Sequence, residues 1–273
     1  MSKSSAISGI YALFALLFLY TPIAVLIVMS FNSSRYNRLP FEFSTRWYRD
    51  LFQNETLINA TGNSLLIALI TGLMCVLLAT LLVLGSRTLS RKFQRMIQSA
   101  MLLPLTIPWL ITGLSLLLMI RALGLYKSLF FVLAGHIVIA LPYSVLVLQA
   151  RMQSLDPALE DASGSLGAGP LTTFRRITLP VLAPAMVAGG FLSFMISFDN
   201  FVISYFLAPT GVSTLPIEIQ SAIKFGFTPE INAVSTIVIG ISLICLAVSG
   251  VIIGLFMTDK SKSKNVIISK VKT

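Results

Sequence analysis

"EDASGSLGAGPLTTFRRITLP", Glu160–Pro180, is the longest polar passage in a chain otherwise made of apolar runs. Together with the residues just before it, it spells two short helices across a glycine elbow. Asp156 is placed to cap a helix, and Pro157 suits the first helical position, where a missing N–H costs nothing. A short helix is expected over Ala158–Ser163. Gly164 and Gly167 interrupt it, and Gly169-Pro170 makes a turn. Thr172 is placed to cap a second helix running through Phe174, Ile177 and Leu179 toward the next apolar run. Small residues in such an elbow let another protein approach closely. From spacing alone, a docking surface and an ordinary solvated loop both stand open.

The rest of the chain decides the setting. Of its 273 residues 56% are hydrophobic and only 11% charged, where a soluble domain carries about a quarter. So much apolar surface exceeds what one globular core absorbs. The formal charge of +10 falls mainly in loops and at the C-terminus, which suits a membrane surface. Nothing resembles an aromatic-plus-basic RNA motif or a zinc finger, so nucleic acid is not an expected partner. Cys75 and Cys245 both sit in apolar runs and read as core packing, with no metal spacing.

Six apolar segments approach the ~20 residues a membrane helix needs. They are 7–31, 63–85, 96–120, 127–150, 181–207 and 233–257. The first is longer than a signal-peptide core and reads as a retained helix with a kink at Pro22. The expected fold is all-α, a polytopic integral membrane protein read as one membrane domain over residues 1–273. Its parts are a first span and outer loop (1–60), a core (61–258) with a polar loop at 151–180, and a basic tail (259–273). With a cytoplasmic N-terminus, thirteen basic residues lie inside and seven outside, which follows the positive-inside rule. Both termini and the Glu160–Pro180 elbow are then cytoplasmic. The inside set includes Arg87, Arg91, Lys92, Arg95 and the tail lysines up to Lys272; the outside set includes Arg35 and Arg38.

The elbow resembles the cytoplasmic "EAA" loop of ATP-binding cassette (ABC) importer permeases. That pattern is Glu-Ala-Ala, a Gly four residues later, then Ile-x-Leu-Pro. Here the aligned residues are Asp161, Ala162 and Ser163, then Gly167, then Ile177, Leu179 and Pro180. Asp161 stands where the family has Glu, with Glu160 just before it, so either acid is a candidate for contact with a partner. The resemblance implies a coupling helix docked on an ATPase subunit, with Glu160, Asp161, Ala162, Ser163, Gly164, Gly167 and Ala168 as coupling residues. No G-x-x-x-x-G-K-[ST] phosphate loop occurs in the chain. ATP and Mg²⁺ are therefore expected on two partner ATPase subunits, with no cofactor bound by this chain.

The likeness runs through most of the sequence. "YTPIAVLIVMSFN" (Tyr20–Asn32), "WYRDLF" (Trp47–Phe52), "NSLLIAL" (Asn63–Leu69), "LLPLTIPWLITGLSLLL" (Leu102–Leu118) and "GHIVIALPYSVLVL" (Gly135–Leu148) look like successive spans of type I importer permeases. The stretch from Ser197 to Thr236, with "STLP", "FG" and "PEINA" in order, is similar to spermidine/putrescine permeases, in the branch of the second permease subunit. The resemblance implies the type I permease fold, the bacterial inner membrane, a second permease subunit, an extracytoplasmic binding protein, and a polyamine cargo carried by alternating access. Polyamine permeases often carry two acids where this chain has Asp199 and Asn200, and an acid where it has Trp109. Fewer carboxylates lower the fixed negative charge along the path, while Trp109 still offers a cation–π face.

Asp199 lies in the apolar run "FLSFMISFDNFVISYFL". A carboxylate in lipid is costly, so it faces a cavity, a partner or a pathway, or else bonds a neighbouring helix. Asp199, Asn200, Trp109 and Tyr205 are the candidate substrate-pathway residues. His136, the single histidine, reads as packing or capping. Pro104, Pro108 and Pro142 read as helix benders. Two other readings stay open: the same importer class with another cargo, such as a phosphonate or an opine-like solute, and an ion-driven carrier working through Asp199.

Overall fold

The computed structural model describes residues 3–34, 39–225 and 230–271, with the side chains of 3–8, 225, 245, 249, 252–253 and 255–271 outside that description. Arg35, Arg38 and Lys272, the side chain of Cys245, and residues 226–229 of the "FG…PEINA" stretch therefore lie outside the described parts. Among the described residues the structure is helical apart from one isolated bridge, Asn32 to Phe43. Helices answer the lipid problem directly, since each satisfies its own backbone groups.

The chain falls into two compact units, Met1–Asn59 with Glu218–Ile244, and Ala60–Ile217 with Cys245–Thr273. In the first, α1 (Lys3–Met29) contains Pro22 and shows exposed apolar side chains such as Ile10 and Phe18. Beyond it the chain folds around the buried Asn32. The Trp47 indole N–H donates to the Asn32 carbonyl at 2.6 Å, and Ser30 Oγ meets the Tyr48 hydroxyl at 2.7 Å. Trp47 and Tyr48 sit on α2 (Arg46–Gln53), so this short helix is tied to the end of α1.

The second unit takes in most of α3 (Glu55–Ser86), then α4 (Arg91–Thr106), α5 (Trp109–Ala122), α6 (Leu129–Gln153), α7 (Pro157–Ser165), α8 (Pro170–Thr173), a π-turn (Phe174–Thr178), α9 (Leu179–Phe198) and α10 (Phe201–Leu207). Next come α11 (Leu215–Phe225) and α12 (Glu230–Val271), which cross between the units. Within the second unit α6 packs closely on α9. A Cβ on Gly189 would lie 3.3 Å from Ser144 Cα, and Ser144 Oγ donates to the Gly189 carbonyl at 2.8 Å. Small residues and short polar links of this kind hold helices together where lipid removes the hydrophobic drive. One apolar cluster gathers Ala79, Val83, Leu148, Met152 and Leu182. A second gathers Ile67, Ile120, Val132, Ile139, Ile203 and Leu207.

Among the described residues five helices are long and apolar enough to cross a membrane: Gly9–Met29, Glu55–Ser86, Leu129–Gln153, Pro170–Phe198 and Glu230–Val248. The expected third span, 96–120, is not one straight helix. It consists of α4 and α5, bent by 102° at Ile107-Pro108. Pro108 forces this, because it cannot donate to the α-helical ladder and pushes Ile107 into extended backbone. The expected fifth span, 181–207, likewise breaks. It runs to Phe198 and restarts at Phe201, with Asp199 and Asn200 at the break. Counting the bent pair as one span gives six.

Candidate functional site

The elbow between α6 and α9 lies wholly within the second unit. Asp156 caps α7 as its residue type suggests, its carboxylate accepting from the Ala158 N–H at 3.0 Å, with Pro157 in the first turn. Gly164 does not end the helix. It lies inside α7, because one glycine weakens a helix without breaking it. Gly167 ends it, with φ at +84°. The Gly167 N–H donates to the Gly164 carbonyl at 2.9 Å and the Ala168 N–H to the Ser163 carbonyl at 3.1 Å. Those two bonds form a Schellman turn, which needs a left-handed residue at this place.

The second short helix starts earlier than Thr172. Gly169 is its N-cap and Pro170 holds the first position, where its fixed φ is already helical. Thr172 sits inside α8 and donates its N–H to the Gly169 carbonyl at 3.0 Å. The helix continues through the π-turn into α9. That turn lies just before Pro180, whose missing N–H leaves the Arg176 carbonyl without its α-helical donor. Ser163 Oγ meets Thr173 Oγ1 at 3.0 Å and closes the elbow across its gap.

The candidate coupling residues divide by environment. Asp161, Ala162, Gly164 and Gly167 are exposed, and Ser163 and Ala168 are half-buried. Leu166, at the tip, is 89% exposed, and Leu159 and Leu171 flank it with open surface. The elbow thus presents three exposed leucines, Leu159, Leu166 and Leu171, among polar neighbours. Glu160 turns inward instead. Arg87 donates to both its carboxylate oxygens, Nη1 to Oε1 at 3.1 Å and Nη2 to Oε2 at 2.6 Å. Thr178 Oγ1 donates to Oε1 at 2.6 Å. The Arg87 guanidinium, aided by Thr178, holds the Glu160 carboxyl below its ordinary range despite partial burial, and the same pair raises Arg87. At the same end of the bundle Arg151 Nε donates to the Val181 carbonyl at 3.0 Å, joining the end of α6 to the start of α9.

The second candidate region is the break at Asp199-Asn200. Asp199 is exposed, whereas Asn200 is 1% exposed. Asn200 Oδ1 accepts from the Ile203 N–H at 2.8 Å and so caps α10. Its Nδ2 has no hydrogen-bond partner among the described residues. His136 lies fully buried beside the break. Its Nδ1 is 2.7 Å from Ser197 Oγ on α9, and its Nε2 is 3.0 Å from Ser204 Oγ on α10. An imidazole accepts at one ring nitrogen and donates at the other, which suits a serine on each side.

Of the aromatic candidates, Trp109 opens α5 directly after the 102° bend and is 38% exposed. Tyr205 on α10 is 57% exposed and packs against the Phe201 ring. α10 lies close to α5 and α6 because glycines admit it. A Cβ on Gly113 would come within 2.9 Å of Phe206, and one on Gly135 within 2.7 Å of Ile203. Asn63 Nδ2 donates to the Ser213 carbonyl at 2.9 Å, and Ser64 Oγ accepts from the Leu215 N–H at 2.8 Å. The "NSLL" and "STLP" stretches, about 150 residues apart, are thus joined. Among the described residues no three His, Cys, Asp or Glu side chains come together as metal ligands would.

The site is thus a bundle of broken spans with a leucine-tipped elbow between two of them. The sequence matches the family described as "Binding-protein-dependent transport system inner membrane component" over residues 75–260, and the chain belongs to that family. Within it, the chain is 36% identical over 234 residues to the putrescine transport system permease protein PotI of Escherichia coli strain K12, covering 82% of each. It is 32% identical over 260 residues to the spermidine/putrescine transport system permease protein PotC of the same strain, covering 95% of each. Among solved structures, a bacterial ABC transporter that imports the acidic polysaccharide alginate aligns with TM-score 0.69 and 18% identity, over 91% of this chain and 94% of that one. The MetNI methionine ABC transporter in inward-facing form aligns with TM-score 0.62 and 16% identity, over 74% of this chain and 96% of that one. These structural likenesses bear out the type I permease fold.

Proposed function

We propose that this permease subunit carries putrescine, spermidine or a close relative across the bacterial inner membrane by alternating access. The observation that carries the reading is its likeness to PotI and PotC along 82% and 95% of its length. Two ATPase subunits bind the ATP and Mg²⁺, and a second permease subunit and an extracytoplasmic binding protein complete the importer. Both termini and the elbow face the cytoplasm.

The elbow is the docking element. Asp161, Ala162, Ser163, Gly164, Gly167 and Ala168 form its outer contour, and Leu166 is the knob an ATPase groove receives. A rigid element is required, because a soft loop absorbs displacement instead of passing it on. The Schellman turn at Gly167 and the Ser163–Thr173 link supply that rigidity.

The path runs by the break in the fifth span. Asp199 offers a carboxylate, and Trp109 and Tyr205 offer aromatic faces, which together suit a flexible chain of ammonium groups. Asn200 shapes this path from behind by capping α10. Uptake of labelled putrescine and spermidine into vesicles holding the whole importer tests the cargo. Saturable uptake that unlabelled polyamine competes away is expected. Uptake of neither polyamine, alongside uptake of another solute held by the binding protein, overturns the polyamine assignment.

A further inference from the structure

Two adjacent acids, Glu160 and Asp161, stand at the start of the elbow, and the structure gives them different surroundings. Successive residues of a helix point about 100° apart. Asp161 therefore faces outward with the docking surface, while Glu160 faces the bundle. The Glu160 carboxylate receives three donors: two from Arg87, immediately after the last residue of α3, and one from Thr178, the last residue of the π-turn that leads into α9. Thr178 is buried, and the Arg87 pair is bidentate.

An isolated surface ion pair adds little, and its long side chains wander. This one differs in two respects. The fork geometry fixes orientation as well as distance. The third bond comes from a side chain that the core already holds in place. The carboxylate thus joins three elements that are far apart in sequence: the coupling helix α7, the end of the second span and the start of the fifth.

We propose that Glu160 is a positioning residue, an internal strap that makes α7, α3 and α9 move as one body when the elbow is displaced, while Asp161 is the acid left to face the ATPase. The proposal rests on the reading of the elbow as the docking element. Without the strap, the elbow shifts as a unit against α3 and the start of α9, and the push of the ATPase is spent in that slippage. Glu160 then acts on the coupling between hydrolysis and transport, not on the grip of the ATPase.

The test uses the complete importer, reconstituted with its ATPase and binding protein, and reads three quantities: ATPase retained on co-purification, ATP hydrolysis, and labelled solute imported per ATP. Glu160→Gln and Arg87→Gln are expected to keep the ATPase bound and hydrolysing, and to lower import per ATP about tenfold, the scale of a typical coupling free energy. The double variant is expected to be no worse than either single one, because both remove the same contact. Should Glu160→Gln fail to insert, Arg87→Gln, whose side chain lies at the surface, carries the same test. Unchanged import per ATP overturns the strap, as do additive losses in the double variant. Loss of the bound ATPase in Glu160→Gln also overturns it, since Glu160 would then face the partner. Failure of the docking reading shows separately: Leu166→Asp would leave the ATPase bound and import normal, whatever the Glu160 variants do.

Discussion

His136 and Ser204 meet at 3.0 Å across the break in the fifth span, while the other ring nitrogen of the same histidine holds Ser197 on the opposite arm. One side chain of α6 thereby staples α9 to α10 and sets the angle at which the backbone turns at Asp199-Asn200. Replacing it with Leu leaves two buried hydroxyls without their partner, at a cost of about 1–3 kcal/mol each. The His136→Leu importer should unfold at clearly lower temperature in detergent, and His136→Gln, which keeps a donor and an acceptor, should lose less. Equal thermal stability of His136→Leu and wild type would remove the staple from the account.

Gly164 and Gly167 offer a controlled comparison. An added Cβ meets nothing within 4 Å at either position, so space does not separate them. Backbone does: Gly167 has φ +84°, and Gly164 is ordinary helix. Gly164→Ala should be tolerated or stabilise α7 by up to ~1 kcal/mol. Gly167→Val forces a branched side chain into the left-handed region at roughly 1–2 kcal/mol, tilting α7 and uncoupling uptake from hydrolysis while the chain still inserts. Uptake and hydrolysis assays on the two variants check this, and wild-type uptake in Gly167→Val would count against the turn's role.

Asp199 is exposed at the break, and on the proposed path its carboxylate meets the cation. Asp199→Asn keeps the shape and removes the charge. A charge-assisted hydrogen bond is worth about 1.5–3 kcal/mol, so uptake of a polyamine should fall about tenfold or more while assembly stays intact. Equal uptake by Asp199→Asn and wild type would assign Asp199 a structural role.

The Glu160–Arg87 pair gives the elbow a pH dependence of definite sign. Arg87 holds the folded-state Glu160 carboxyl below its ordinary value. A depressed acid contributes its full stability above its unfolded value, near 4.3, and loses it progressively as pH falls from there through the lower folded value. Protection of the α7 amides against hydrogen exchange, relative to the intrinsic rate at each pH, should therefore be full at neutral pH and fall progressively as pH drops through and below the ordinary carboxylate range. In Arg87→Gln, where the guanidinium no longer depresses the carboxyl, protection should be lower already at neutral pH and should lack most of this acid-dependent fall. Identical profiles in the two proteins would show that the pair does not hold α7.

Much of this was legible in the sequence. Long apolar runs locate the membrane helices, and Asp156-Pro157 marks the start of α7 because capping is a local matter. Gly167 is legible for the same reason. What escaped reading is non-local. Arg87 looks like one more inside-facing cation, yet its partner lies 73 residues on. His136 reads as packing, and only the fold brings Ser197 and Ser204 to its two nitrogens. Leu166 looks like an ordinary apolar residue until the elbow presents it at the tip. The breaks in the third and fifth spans had local cues in Pro108 and in Asp199-Asn200, but apolar content on either side hides them from a count of hydropathy.

On the proposed reading, a separate ATPase that grips the elbow drives solute through this chain. This claim is tested most directly by uptake into liposomes holding the purified importer, with ATP inside and labelled putrescine and binding protein outside. Uptake is expected only with internal ATP, and Leu166→Asp should abolish it together with ATPase binding. Uptake that persists without the ATPase and follows a proton or sodium gradient would contradict the claim and make the chain a stand-alone carrier.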